Sequence, residues 1–369
     1  MVRRILALIV KELLALLKDK KGRMTIIVPP LVQLIVFGYA ATFDLEQAPI
    51  AVFNEDGGQA SRELVARFAA SRGFKLVRHL HSDGEIAPLI DSGRVLMVLH
   101  LGPRCSDGLL DGGGCSLQVI IDGRNSNTAM IALNYVRDIV TAFNEQWIRD
   151  HGGVSPPARL NLRAWFNPNL ESRWFIVPGI VALLALVVTL VVTSLSVARE
   201  REAGTFDQLL VTPMRPVEIL IGKAVPGLII GIFEGTLIIT LAVLWFRVPL
   251  LGSLAALYVG LVIYVLAAIG VGLMISSMCT TQQQALLGAF VFLVPAVTLS
   301  GFSTPIANMP PAVQTITLAD PMRYFLVIVR RAFLEGAGLT DYWSQIWPMA
   351  IIAAITLSLA AWFFRHRMY

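Results

Sequence analysis

The chain has 369 residues, 56% of them hydrophobic and only 15% charged, with a formal net charge of +5. Such a composition is too apolar for an ordinary soluble domain. The basic excess flanks apolar runs, so it reads as membrane topology rather than as nucleic-acid binding.

The first element, residues 1–23, is an amphipathic helix. On a helical wheel Arg4, Lys11 and Lys18 form one stripe, with Ile5, Ile9, Leu13, Leu16 and Leu17 opposite. A basic helix of this kind lies in the membrane interface. It reads as an elbow that anchors the first span or takes part in coupling. Basic residues ahead of an apolar run and Gly38-Tyr39-Ala40 imitate a cleavable signal. The long basic stretch and Pro29-Pro30 favour a retained span at 24–43 instead.

Apolar runs of membrane-crossing length recur. Six are expected, near Met24–Phe43, Trp174–Ala198, Val225–Phe246, Leu251–Met278, Ala285–Phe302 and Ile346–Phe364. The loop 44–173 holds 13 Lys+Arg against 15 Asp+Glu, while the excess of Lys and Arg lies in 1–23, in 199–223 and at Arg365 and Arg367. Cytoplasmic flanks are enriched in these residues. Both termini and the 199–223 segment are therefore expected inside, and the long loop outside. Arg247, Arg323, Arg330 and Arg331 fall on the outer side against this trend.

The long loop is large enough to fold. Strand-like runs at Ile50–Phe53, Phe74–Val77, Val95–Leu101 and Leu117–Ile121 alternate with helical stretches around Ser61–Ala70 and Ser126–Trp147. This predicts a small α/β domain inserted between the first two spans. Asp122–Asn127 is a turn leading into a helix, with Asn125 or Ser126 as cap; anion binding at that helix start is the alternative. Cys105 and Cys115 flank Gly112-Gly113-Gly114, and an oxidising exterior would allow a structural bridge between them. Cys279 is expected to stay reduced. No His or Cys cluster has metal-ligand spacing.

Between the second and third runs lies Arg199–Lys223, REREAGTFDQLLVTPMRPVEILIGK. Thr205 and Gln208 form a capping box, Gly204 lets the chain turn before it, and Thr212-Pro213 ends the helix within two turns. Phe206, Leu209 and Leu210 share one apolar face. A helix this short needs packing to be stable, either on the protein's own bundle and lipid or in a partner's groove. Pro216 and Glu218 open the next helix.

Within the third run stands Glu234, in Gly231-Ile-Phe-Glu-Gly235. An ionisable residue at this depth is costly and faces protein or water. It reads as a contact for cationic substrate, a proton relay or a hydrogen bond between helices. Gln282–Gln284 is expected to cap or hinge the fifth run. The segment 300–336 begins SGFSTPIANMPP, where Pro and Gly stop a straight helix; a re-entrant or interfacial turn is expected. Phe302, Pro305 and Pro310 make it a candidate outer gate, simple packing being the alternative. Asp320-Pro321 then caps a helix running to about Glu335.

No G-x-x-x-x-G-K-[ST] loop occurs, so nucleotide chemistry of that kind falls to another chain. The pattern from Glu200 through Pro213 and on to Lys223 resembles the signature of the type-2 ATP-binding-cassette permeases, and more narrowly the multidrug-efflux branch with a large periplasmic insertion. The likeness takes in the elbow, DGRNSNTA at Asp122–Ala129, the Pro-rich outer turn and Asp320-Pro321. It implies a non-catalytic permease subunit in the bacterial inner membrane, with ATP and Mg²⁺ held by a separate ATPase. Glu200, Glu202, Gly204, Thr205, Phe206, Gln208, Leu209, Leu210 and Pro213 would couple the two. It also implies a homodimer or a heterodimer with a paralogous permease, among membrane lipids, and leaves room for a periplasmic adaptor and an outer-membrane channel. The apolar spans suggest amphipathic, drug-like or lipid-like cargo. Two rivals remain: a proton-coupled secondary transporter using Glu234, and a non-transporting scaffold relaying signal or force to an envelope partner.

Overall fold

The computed structural model describes residues 2–18, 20–40, 47–124, 126–151, 171–206 and 214–366. The chain divides into two compact units, Thr42–Arg163 and the remainder.

The larger unit is helical. It opens with α1 (Val2–Lys18) and α2 (Lys20–Ala40), followed after the other unit by α7 (Ser172–Glu202), α8 (Pro216–Leu244) and α9 (Leu254–Met278). Then come α10 (Gln282–Leu299), α11 (Pro311–Ile316), α12 (Pro321–Leu334) and α13 (Trp343–His366). Five of these, α7 to α10 and the last, are long and apolar enough to cross a membrane. The bent pair α11–α12, turning by 84° at Asp320, would make a sixth if counted as one span. This is the architecture of a polytopic membrane protein.

The helix boundaries follow local chemistry. The third run starts as a helix at Pro216, nine residues before the apolar stretch expected from Val225, because Pro suits the first turn. In addition, the Glu218 carboxylate accepts the Arg215 N–H at 2.8 Å. The fifth ends at Leu299, and Gly301 at φ +88° turns the chain. The first is shorter in its apolar part than expected: α2 runs through Pro29 and Pro30, but only Ile27–Tyr39 is strongly apolar. At the start of α12 the Asp320 carboxylate accepts the Met322 N–H at 2.9 Å. The core is centred on α7, whose residues from Val177 to Leu186 are almost all inaccessible, against α9 and α12. Here Tyr264 stacks on Phe325, with ring centroids 4.5 Å apart, and its hydroxyl donates to Ala182 O at 2.9 Å.

The smaller unit contains β1 (Ala48–Asn54), α3 (Gln59–Ala70), β2 (Phe74–Leu80), α4 (Ile86–Asp91), β3 (Met97–Leu101), α5 (Cys105–Leu110), β4 (Leu117–Ile121) and α6 (Ser126–His151). The strands form one sheet in the order β2-β1-β3-β4, with β1 parallel to both neighbours and β4 antiparallel to β3. Alternation along β1 and β3 sends Ile50, Val52, Met97 and Leu99 to one face, packed with α3 and α6. Ala51, Phe53 and Val98 go to the other, packed with α4. Cys105 and Cys115 are disulfide-bonded, tying the start of α5 to the chain entering β4. In the turn after β4, the Arg124 guanidinium donates to Asp122 and to the carbonyls of Ile90 and Asp91. This holds the Asp122 carboxyl down at about 2. Asn125 lies outside the described residues.

Candidate functional site

The residues from Arg199 to Phe206 contact α1, α8, α13 and the loop between α9 and α10. α7 is 31 residues long, about 46 Å at 1.5 Å per residue, against a hydrocarbon core of roughly 30 Å. It overshoots, so its last turns are free to carry charge.

Its end is a Schellman turn. Gly204 sits at φ +67°, Thr205 N–H reaches back to Glu200 O at 3.0 Å and Gly204 N–H to Arg201 O at 3.1 Å. The Thr205 hydroxyl also donates to Glu200 O at 3.3 Å, so it serves the helix that ends here. Of the proposed capping box and apolar face, Gln208, Leu209, Leu210 and Pro213 lie outside the described residues. Phe206 is described, and it faces inward. It is 6% exposed, edge-on to Phe364 of α13 with centroids 6.0 Å apart, and packs with Leu8, Val197 and Ile219. The Arg201 guanidinium covers its ring at 5.0 Å. Its apolar face therefore packs inside this chain, the arrangement expected where this segment rests on the protein's own bundle.

Both acids of the motif also contact other elements of this chain, Glu200 buried and Glu202 at the surface. Glu202 accepts the backbone N–H of Gln282 at 2.7 Å, at the start of α10. Beside it, Arg201 donates to the carbonyls of Ser277 and Cys279 at the end of α9. The loop between α9 and α10 is thus clamped to α7. The glutamines there behave as a cap: Thr281 Oγ1 accepts from Gln284 N, and Gln284 Oε1 accepts from Thr280 N.

Glu200 is the centre of a charge cluster. Its Oε1 lies 2.7 Å from Lys11 Nζ of α1, and its Oε2 lies 2.7 Å from Lys223 Nζ of α8. Lys223 also reaches Glu12 Oε1 at 3.2 Å and donates to Ser196 O at 3.2 Å and Ser196 Oγ at 3.4 Å. Those three acceptors use its three protons, so its approach to Glu200 Oε2, which has no aligned hydrogen bond, is a Coulombic contact. The Lys223 side chain is 1% exposed and those of Glu200 and Glu12 are 10% and 12%, whereas Lys11 is 54% exposed. Two cations and two anions give a neutral cluster. Removing one partner of a buried pair costs about 3–5 kcal/mol, because the other charge is left behind. The close approach that makes the cluster possible is at Gly222, where a Cβ would fall 2.3 Å from Leu8.

By sequence Lys11 belongs to the basic, headgroup-facing stripe of α1, and neither Glu12 nor Lys223 stands out as a site residue. A signal existed for both. Glu12 falls on the line of Ile5, Leu8, Ile9, Leu13 and Leu16, the inward stripe, and Lys223 interrupts an otherwise apolar run.

The remaining candidates do not join this site. Glu234 is 0% exposed, and among the described residues neither carboxylate oxygen has a hydrogen-bond partner. It lies on a tight contact: a Cβ on Gly231, one turn before it, would fall 2.5 Å from Thr189 Oγ1 and 2.7 Å from Val265. An apolar groove of about 320 Å³ runs between α2, α7 and α10, lined by Pro29, Pro30, Gln33, Val187, Val191 and Phe290 among others; Glu234 is not among its lining residues. Phe302 lies over Gly179 of α7, while Pro305 and Pro310 are exposed and frame a single 3₁₀ turn. Three of the arginines that run against the charge trend are engaged, Arg331 with Glu335 at 2.8 Å, Arg323 with Gln314 O at 3.3 Å and Arg330 over the Phe175 ring at 3.9 Å. Among the described residues no group of three or more His, Cys, Asp or Glu could hold a metal.

Comparison with known proteins places this geometry in context. The family description "ABC-2 family transporter protein" matches residues 20–362. A probable multidrug ABC transporter permease of Escherichia coli K12, YbhR, is 42% identical over 369 residues, covering 100% of both chains. A second from the same organism, YbhS, is 30% identical over 342 residues, covering 90% of this chain and 89% of that one. The inner membrane transport permease YhhJ of E. coli is 28% identical over 367 residues, covering 98% and 97%.

Proposed function

The chain belongs to the ABC-2 family of transporter proteins, and on that premise we propose that it is the permease subunit of an ATP-driven exporter in the bacterial inner membrane. ATP and Mg²⁺ are bound and turned over by a separate ATPase, as befits a family of generally non-catalytic permease subunits. In this reading α2 is the first of six spans, α1 is a cytoplasmic elbow, and the sheet-containing unit is extracytoplasmic. Both termini and residues 199–223 face the cytoplasm, where the Lys and Arg excess lies. Two subunits, of this chain or of this chain with a paralogue, form the path. The cargo is amphipathic, drug-like or lipid-like, in keeping with the apolar groove beside α2, α7 and α10, and the turn after Ser300 is the outer gate.

One observation carries the reading: residues 199–206 tie α1, α8, the α9–α10 loop and α13 to the end of α7. A push delivered at residues 207–213 would enter all of these at once. Since Phe206 is used internally, Leu209 and Leu210 are the residues left to meet the ATPase. The test is purification of the full chain with its native partners. An ATPase is expected to co-purify with the wild type and to be lost with the Leu209→Asp, Leu210→Asp double variant. Retention by the double variant refutes docking through this segment.

A further inference from the structure

Glu200 opens the coupling motif, yet its carboxylate is turned away from solvent and toward two other helices. We infer that Glu200, Lys223 and Glu12 are positioning residues that gear the first helix to the coupling segment, so that α1 moves with α7 and α8 as one body during the ATPase cycle. The inference rests on the coupling reading above.

Three features point to gearing rather than to contact with a partner. First, both oxygens of Glu200 are occupied within the chain, one by Lys11 and one by Lys223. An ATPase seeking that carboxylate would have to displace Lys11 and the buried Lys223. Second, the cluster straddles the coupling segment: Glu200 precedes it on α7 and Lys223 follows it on α8. The two arms are therefore tied to each other and, through Glu12, to α1. Third, α1 buries a carboxylate in the middle of its apolar stripe. Glu12 lies between Leu8, which packs in the Phe206 cluster, and Leu16, which packs against Val188 and Val192 of α7. An apolar residue at position 12 would complete an anchoring stripe. A charge there fixes register and orientation, as polar groups buried in helix interfaces do.

The arrangement separates adhesion from transmission. Leu8 and Leu16 hold α1 on the bundle without directional preference. Lys223, with its protons directed at Glu12 and Ser196, sets the angle. Neutralising Glu12 would leave α1 attached but free to slip against α8.

The experiment uses the full chain with its co-purified ATPase and reads three quantities: ATPase retained, thermal unfolding midpoint, and the ratio of ATP hydrolysis with and without the permease. Glu12→Gln and Glu200→Gln should keep retention within twofold of wild type while the hydrolysis ratio falls at least threefold toward one. Lys223→Met leaves two buried carboxylates with a single cation and is expected to be the least stable of the single variants. The triple variant Glu12→Gln, Glu200→Gln, Lys223→Met strands no buried charge, leaving only the exposed Lys11, and it should unfold near the wild-type midpoint yet show the same lost ratio. Loss of the ATPase by Glu200→Gln would make that residue a partner contact and overturn the inference. So would an unchanged ratio in Glu12→Gln or in the triple variant, and so would a wild-type ratio of one. A wild-type chain that retains no ATPase at all would instead sink the coupling reading on which the inference stands.

Discussion

Glu200 and Glu234 are both glutamates buried in the same helical unit, and the structure treats them in opposite ways. Glu200 meets Lys11 and Lys223 and shares Lys223 with Glu12. Glu234, less exposed still, has no hydrogen-bond partner among the described residues. Burial alone therefore does not tell what an acidic side chain in a membrane protein is for. Glu200 lies between cations from two other helices, whereas Glu234 lies between Gly231 and Gly235, whose close approaches bring the helices together.

Four measurements would break or sharpen this contrast, each on the detergent-solubilised full chain. The largest effect is expected from Lys223→Met, which should lower stability by about 3–5 kcal/mol by leaving charge uncompensated. Lys11→Gln, on a side chain more than half exposed, should cost less than about 1 kcal/mol. Similar losses for the two would mean that the cluster is not centred on Lys223. Next, Phe206→Ala should cost about 3 kcal/mol for a buried aromatic truncated between Leu8 and Phe364. A loss under about 1 kcal/mol would return Phe206 to the surface as a docking residue. Third, Glu234→Leu removes two unpartnered acceptors and should be neutral or stabilising, within about 1–2 kcal/mol. Destabilisation on the scale of Lys223→Met would show that Glu234 has a partner after all and erase the contrast. The smallest effect concerns the sheet-containing unit, whose exposed acid–base pair serves as a baseline for charge outside the helical unit. Asp122 is held at about 2 by the Arg124 guanidinium. Its contribution is therefore full above the ordinary carboxylate range near pH 4 and fades as the pH falls toward about 2. Amide protection in the 122–124 turn, measured relative to the intrinsic exchange rate at each pH, should be unchanged between pH 7 and 5 and should fall below about pH 3, and Arg124→Gln should lower it already at neutral pH.

Much of the fold is visible in local pattern. Runs of apolar residues about 20 long give the membrane helices, because a helix satisfies its own backbone and the bilayer sets its length. Alternating Val and Ile give the strands. Caps at Asp320-Pro321, Thr281 and Glu218, and the turn at Gly204, come from side chains acting within a few residues of themselves. The first membrane run was less legible. Its apolar part shrinks to Ile27–Tyr39, since Lys20–Arg23 extend the helix without extending the apolar stretch.

The candidate site divides in the same way. Its location at Arg199–Lys223, its turn and its family resemblance are properties of consecutive residues, and the sequence by itself determined them. The direction in which its side chains point was decided only by tertiary structure. Lys11 and Glu200 are 189 positions apart, and Glu12 and Lys223 are 211 apart. Periodicity places each residue on a face of its own helix but cannot say which faces will meet. That depends on the angle and depth at which α1, α7 and α8 pack, set here by Leu8 against Gly222. A helical wheel puts Phe206 on an apolar face without naming what that face meets, and the structure packs it against α13.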